Sequence, residues 1–329
     1  MHWRHLTAAS FPLAVCSALC SALLLGACGR KPAPLSVPIS NWPGYEYFYL
    51  ASKLGIDKGY GLEIQPIQYP DPQVIVHAYL QGSVSVAQLT TVEVVDLCAR
   101  DPRRCPEVVL VLNESRGGDR IAAARSIASL DQLRGKDVAV TYSTLGPYVL
   151  SRALDSVGLQ LRDVTLRNMP LSTMPDALRT GQVQAAVFFP PFSDYAARDG
   201  QSHVLFDSRS LPGEVFDVLA VDPAYLRDHA DQVVQLVSVW AQAHRQAKRE
   251  PQRALALMAR REQVSVQEFR ESEQGLVYFD LNQQRDLLKP GGVISRNLAR
   301  VLAVQRQLGL TPPGAPLPVV SSRYVEAAS

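Results

Sequence analysis

The sequence predicts an α/β protein made of two units in series, followed by a helical tail. Short strand-like runs alternate with helical runs of about ten residues, which marks βαβ units and mixed, mostly parallel sheets. That series occurs twice, and from Pro223 onward almost every periodic segment is helical. About 300 residues follow an N-terminal leader, which is long for one core and suits two.

In order, strands are expected at 35–39, 62–69 and 84–89, with helices at 47–55, 72–82 and 91–99 between and after them. Gly55 and Gly82 stop the first two helices. The run at 108–113 is almost continuously apolar, as in a strand buried on both faces. The second unit has strands at 137–142, 165–169, 185–189 and 203–206, and helices at 129–134, 146–157, 173–180 and 191–197. An apolar strand at 216–221 returns, and helices follow at 224–230, 233–248, 251–260, 266–272 and 294–308. The Pro-rich stretch 311–318 reads as surface loop. Crossings between the units are expected near Asp119 to Ala123 and near Leu219 to Asp222. They form a two-stranded hinge, with 36–120 and 221–329 in one lobe, 121–220 in the other, and a ligand cleft between them.

Ahead of these elements, Arg4 and two histidines precede an uncharged run over 6–25 that closes on Leu25-Gly26-Ala27-Cys28. A basic start, an apolar middle and small residues before a cut are marks of a secretory signal. With Cys28 at the cut, the arrangement resembles the lipobox of bacterial lipoproteins. The resemblance implies a signal peptide over 1–27, a lipid on Cys28, a tether over 28–35, and a membrane-anchored life in the periplasm or at the cell surface. An uncleaved transmembrane helix is the alternative, diluted by Thr7, Ser10, Ser17 and Ser21.

The chain is 47% apolar and 19% charged with a net charge of +2, an ordinary globular balance. It offers no electrostatic case for nucleic acid or an anionic membrane face. Of five cysteines, Cys16 and Cys20 leave with the signal and Cys28 takes the lipid. Cys98 and Cys105 remain, and in an oxidising compartment they are expected to close a small disulfide loop. No histidine or cysteine stands near enough to complete a tetrahedral metal set, so neither metal nor cofactor is expected.

Four stretches carry a family resemblance. Residues 42–51 read Trp-Pro-Gly-Tyr-Glu-Tyr-Phe-Tyr-Leu-Ala and are followed by Gly55; the others are 78–87, 130–146 and 177–192. Together, over about 36–275, they resemble solute-binding proteins of the nitrate/sulfonate/taurine and thiamine-precursor type, which serve ABC importers. The resemblance implies the type II periplasmic-binding-protein fold. Ser85 and Gln184 stand where the family usually has Asp, and Phe189-Pro190-Pro191-Phe192 where it has Trp-Glu-Pro-Tyr. A pyrimidine, a sulfonate, a nitrate-like anion and an amine all stay open as ligands.

Ligand-facing loops sit at the C-terminal ends of strands in open α/β sheets. That rule collects five clusters of candidate binding residues. Asn41, Trp42, Tyr45 and Glu46 combine stacking surfaces with an acceptor, although Trp42 also suits a core and Glu46 an exposed first turn. Thr90 and Thr91, with Glu93, suit either ligand contact or helix capping. Ser115 and Asp119 flank a polar loop read as hinge or solvated turn. Tyr142, Ser143 and Thr144 precede a helix whose free amides suit an anion, or simply cap it. Phe189 and Asp217 end one strand and open another. Glu46, Glu93, Glu114, Asp119 and Asp217 outnumber Arg116 and Arg120, which favours a ligand with N–H donors or positive charge. A zwitterion or two-edged heterocycle would also satisfy the helix start.

No Gly-x-Ser-x-Gly, His-Glu-x-x-His, P-loop or GxGxxG is present, and no nucleophile is paired with a base, so an enzyme is not expected. The expected partners are a small molecule (heterocycle, amine or sulfonate-like) and an ABC permease. The alternative to the permease is a membrane sensor to which a monomeric chain would report ligand. The anchor is testable. Replacing Cys28 with Ser should move the protein from the membrane to the soluble fraction, and unchanged partitioning would sink the lipid assignment.

Overall fold

The computed structural model describes residues 34–198 and 200–328, so the leader, Cys28 and most of the tether lie outside the described residues. The first stretch holds β1 (Leu35–Ile39), α1 (Glu46–Leu54), α2 (Ile56–Gly59), β2 (Ile64–Gln68), α3 (Pro72–Leu80), β3 (Val86–Thr90), α4 (Thr91–Arg100) and β4 (Glu107–Ser115). The middle stretch holds β5 (Arg120–Ala124), β6 (Asp137–Val140), α5 (Leu145–Asp155), β7 (Thr165–Asn168), α6 (Met174–Arg179), β8 (Ala185–Phe188), α7 (Phe192–Ala197) and β9 (Ser202–Asp207). The last stretch begins with β10 (Phe216–Val221), α8 (Pro223–Arg249), α9 (Pro251–Glu262) and α10 (Val266–Glu273). It ends with β11 (Leu276–Val277), α11 (Leu281–Leu288), α12 (Val293–Gln307), β12 (Val319–Val320) and α13 (Arg323–Ala327).

Local chemistry explains the helix limits. Asp71 caps α3 by accepting from the Gln73 amide, with Pro72 at the first helical position. Thr90 and Glu93 form a capping box on α4. Gly55 ends α1 in the left-handed region at φ 70°, where a residue without Cβ is unstrained. The two helices expected at 224–230 and 233–248 run together as α8, with a non-helical residue at His229 between them.

Two five-stranded sheets organise the chain. The first has the order β11-β4-β10-β3, with β12 also paired to β4, and the separate parallel pair β1-β2 belongs to the same region of sequence. The second has the order β7-β6-β8-β5-β9. Both sheets are mixed. The antiparallel share is larger than a strand–helix alternation implies, because β5 and β10 each run against both neighbours. These are the strands that follow a crossing, so they enter their sheet from the opposite end. β10 is buried along its whole length between β3 and β4.

The outer edge of β4 is closed in three ways. β11 pairs at Glu114 and Ser115, and β12 pairs at Glu107 and Val108. Between them the buried Gln284 amide takes the place of a strand. Its Oε1 accepts from Val111 N at 2.9 Å, and its Nε2 donates to Val111 O at 2.5 Å. Both backbone groups would otherwise be buried without partners. None of these elements is expected from the sequence: α11, β11 and β12 are short and supplied by the tail. Cys98 and Cys105 are bonded, and the loop they close carries Arg104, which pairs with Asp222 at 2.6 Å.

The chain crosses between the sheets twice, over 116–119 and over 208–215. The second crossing precedes the expected position at Leu219, since all of β10 already pairs in the first sheet. The crossings bind one another. Ser208 Oγ accepts from Gly117 N at 2.6 Å and shares a hydrogen bond with Ser115 Oγ at 2.8 Å, while Ser208 N donates to Asp119 O at 2.9 Å. Gly275 closes over this junction, its carbonyl accepting from Arg116 N at 2.7 Å. A Cβ on Gly275 would stand 2.7 Å from Gly118 N, against backbone that cannot swing aside. Gly275→Ala should cost about 1–3 kcal/mol in urea unfolding. Gly314→Ala, where a Cβ meets open space, should stay within about 0.5 kcal/mol of the parent.

Candidate ligand-binding site

A cavity of about 40 Å³, partly open to solvent, lies between the two sheets. The first stretch supplies Ser40 and Trp42 after β1, Tyr45, Pro72, and Thr90 and Glu93 at the start of α4. Asp119 comes from the first crossing and Asp217 from β10. The second sheet adds Thr141, Thr144, Leu145 and Gly146 around the start of α5, Leu171, and Val187 to Phe189 at the end of β8. Strand ends and helix starts thus meet from both sides, as expected for α/β sheets.

Trp42 and Phe189 close one wall, with ring centroids 5.1 Å apart in an edge-to-face contact. Gly44 lets this wall form, because a Cβ there would collide with Asn113 Nδ2 and Trp42 Nε1. The Trp42 Nε1 proton is buried and turned to the Asp217 carboxyl, whose pKa it lowers, without a hydrogen bond of full geometry. The Tyr45 hydroxyl donates to Asp217 Oδ1 at 2.5 Å, while Asp217 Oδ2 and Asp119 Oδ2 are buried without partners.

Glu93 is fully engaged. Its Oε2 accepts from Thr90 N at 2.6 Å, and its Oε1 reaches across to accept from Leu145 N at 3.2 Å. Gly146 N donates to Thr144 Oγ1 at 3.4 Å. The α5 start that the sequence suggested for an anionic ligand is therefore occupied by side chains of this chain.

Seven of the expected binding residues line the cavity: Trp42, Tyr45, Thr90, Asp119, Thr144, Phe189 and Asp217. Six do not, and each has a physical reason. Asn41 Oδ1 accepts from Gln68 at the rim. Glu46 is buried away from the cavity in an ion pair with Arg261, which also stands 3.5 Å from Glu262. Thr91 is fully buried inside the first turn of α4. Ser115 Oγ serves the crossing by contacting Ser208 and the Asp119 amide. Tyr142 and Ser143 turn outward, Tyr142 being 41% exposed and Ser143 adopting φ 58°. They line a separate surface depression with Leu161, Leu166 and Leu310. Ser40, Pro72, Thr141, Leu171, Val187 and Phe188 were missed; Ser40 and Thr141 had a readable signal, as the residues following β1 and β6.

Burial raises the cavity acids. It pushes the Glu93 carboxyl up to about 7 against the hydrogen bonds from Thr90 and Leu145, and Asp119 up to about 6 against Ser115 and Arg120. Asp217 is driven well above the carboxylate range by burial, which the Tyr45 hydroxyl opposes and the charges of Asp119 and Glu93 reinforce. The buried pair Glu46 and Glu262 is also raised by burial, with Arg261 opposing.

A carboxyl whose folded pKa exceeds its unfolded value binds extra protons in the fold. Stability then rises as pH falls through the folded value, and the gain is complete below the unfolded one. Burial depresses His244 to about 4, which acts in the opposite sense below about pH 6.5. Lowering the pH from about 8 to about 6.5 should therefore stabilise the ligand-free protein by at least about 1 kcal/mol. Thermal melts should show the rise, and Glu93→Gln should reduce it while the other raised carboxyls still contribute; an unchanged slope in that variant would refute the assignment.

A model of the NMT1-like family matches residues 31–260. A protein of Brucella abortus (strain 2308) with a provisional binding-protein name is 25% identical over 153 residues, 46% of each chain, so the chain spans about half the length of the curated relatives it matches. Among solved structures, the periplasmic aliphatic sulphonate-binding protein of Escherichia coli superposes with a TM-score of 0.69 at 16% identity, covering 89% of this chain and 91% of that one. The periplasmic nitrate-binding protein of Synechocystis PCC 6803 gives 0.69 at 10% identity, covering 90% and 85%. A desulfurization enzyme, DSZB, gives 0.60 at 16% identity, covering 90% and 96%, so the same fold also carries catalysis. The expected fold is thus observed in full outline: the chain belongs to the NMT1-like family and has the periplasmic-binding-protein fold.

Proposed function

We propose that this chain is an extracytoplasmic solute-binding protein that encloses a small molecule between two lobes, one around each sheet, and delivers it to an ABC permease. The observation that carries this reading is the cavity itself, walled from both sheets and flanked by two chain crossings. Names of structural neighbours agree in kind, since both binding proteins above hold a small solute.

Direct contacts hold the two sides together across the cavity. Trp42 meets Phe189, Glu93 accepts from Leu145, and Asp71 accepts from Leu171 N at 3.4 Å. Arg198 pairs with Glu268 at 2.6 Å farther out. All four break if the lobes rotate apart about the two crossings, which is how a clamp of this kind admits and releases ligand. A lipid at Cys28 would keep such a clamp near its permease and raise its effective concentration there.

Protein purified from the membranes of its own cells should release about one small molecule per chain on denaturation. Cells lacking the chain should lose uptake of that molecule. Trp42→Ala should lower occupancy about tenfold or more, because it removes one wall of the cavity. Chemical turnover of the released molecule by the purified protein, or undiminished uptake without it, would overturn the reading.

A further inference from the structure

We propose that the cavity selects a small organic cation with at least two N–H donors, a primary ammonium or an amidinium, and rejects anions. This inference rests on the solute-binding reading and names the chemistry of its ligand.

The cavity wall contains three carboxylic acids, Glu93, Asp119 and Asp217, and no lysine, arginine or histidine. Two of these acids have an oxygen with no partner: Asp119 Oδ2 and Asp217 Oδ2 are both buried, in residues only 5% and 2% exposed. The Tyr45 hydroxyl already holds the other oxygen of Asp217, which fixes the carboxylate and leaves Oδ2 for a donor from elsewhere. The nearest cation in sequence does not supply one. Arg120 spends its Nε on Gly117 O at 3.0 Å and its terminal nitrogen on Asp194 at 2.8 Å.

The two backbone amides at the start of α5 that could receive an anion are spent as well. Leu145 N is taken by Glu93, and Gly146 N by Thr144. An anionic ligand would lie against three carboxyls and find no cationic partner in the wall, which is costly in a buried site. A cation supplies donors to these oxygens and lies beside the Trp42 and Phe189 rings in the same wall. The Trp42 Nε1 proton is turned to the Asp217 carboxyl. Ser40 Oγ, buried in the same wall without a partner, is an independent sign that a ligand atom completes this site.

Binding of a cation favours the ionised carboxyls, so protons held by Glu93, Asp119 and Asp217 in the empty site should be released. The sign is fixed: affinity rises as pH rises through the range where these groups ionise.

The test is calorimetry on the full chain in mild detergent, with butylamine and benzamidine as cationic probes and methanesulfonate and nitrate as anionic ones, each to about 10 mM. A cationic probe should bind at about pH 8, release protons, and lose about tenfold or more in affinity at about pH 6. Asp119→Asn and Asp217→Asn, which keep shape and remove charge, should each weaken it about tenfold or more, while Asp176→Asn, outside the cavity, should not. Binding of either anion, silence from both cations, or cation binding indifferent to both Asn variants would overturn the proposal. Anion binding that Trp42→Ala abolishes would leave the solute-binding reading standing and remove only the cation. Lost uptake dependence with cation binding intact would do the reverse.

Discussion

The carboxylate of Glu93 is held at once by the starts of two helices, one from each side of the cavity. In sequence terms it is half of a capping box that begins α4, a local device for satisfying exposed amides. In the folded chain its second oxygen caps α5 as well, through Leu145 N. One side chain therefore provides the negative charge that two helix N-termini favour. The walls of the cavity depend on this arrangement, because it fixes how closely the start of α5 approaches α4 and so where Thr144, Leu145 and Gly146 stand.

The two crossings set the other boundary. Small side chains and backbone groups bind them together: Ser115, Gly117, Ser208 and Asp119 exchange hydrogen bonds without bulky packing. Such a junction keeps the crossings as one unit while contacts at the cavity form and break. Glu214, in the second crossing, is anchored separately. It accepts from Tyr148 at 2.9 Å and pairs with Arg152 at 2.9 Å and Arg300 at 3.3 Å, so α5 and α12 both report to the same crossing. Those basic partners outweigh burial and hold its carboxyl below the usual range, in contrast to the cavity acids.

Most of the architecture was legible because it rests on local periodicity and punctuation. β4 reads as a doubly buried strand from its apolar run, and α3 and α5 from their caps. What was not legible depends on distant pairing. The antiparallel direction of β10 follows from where the chain re-enters the sheet, which no local pattern encodes. α11 was missed because its contribution is one side chain, Gln284, serving Val111 far away in sequence. At the cavity the same division holds. Trp42, Tyr45, Asp119 and Asp217 were found because strand ends face the cleft. Glu46 misled because its neighbour in sequence, Tyr45, points into the cavity while its own partner, Arg261, comes from α9.

The helix start at α5 shows why residue type alone does not assign a ligand. Free amides before a helix suit an anion only while they remain free, and hydroxyl or carboxylate side chains compete for them at no translational cost. Here Glu93 and Thr144 win that competition, and the electrostatics of the cavity reverse sign as a result. The site then has a surplus of acceptors, and two oxygens of Asp119 and Asp217 carry the surplus. Protons meet it in part, since burial holds these carboxyls above their usual range. On the cation proposed above, proton and ligand compete for the same oxygens.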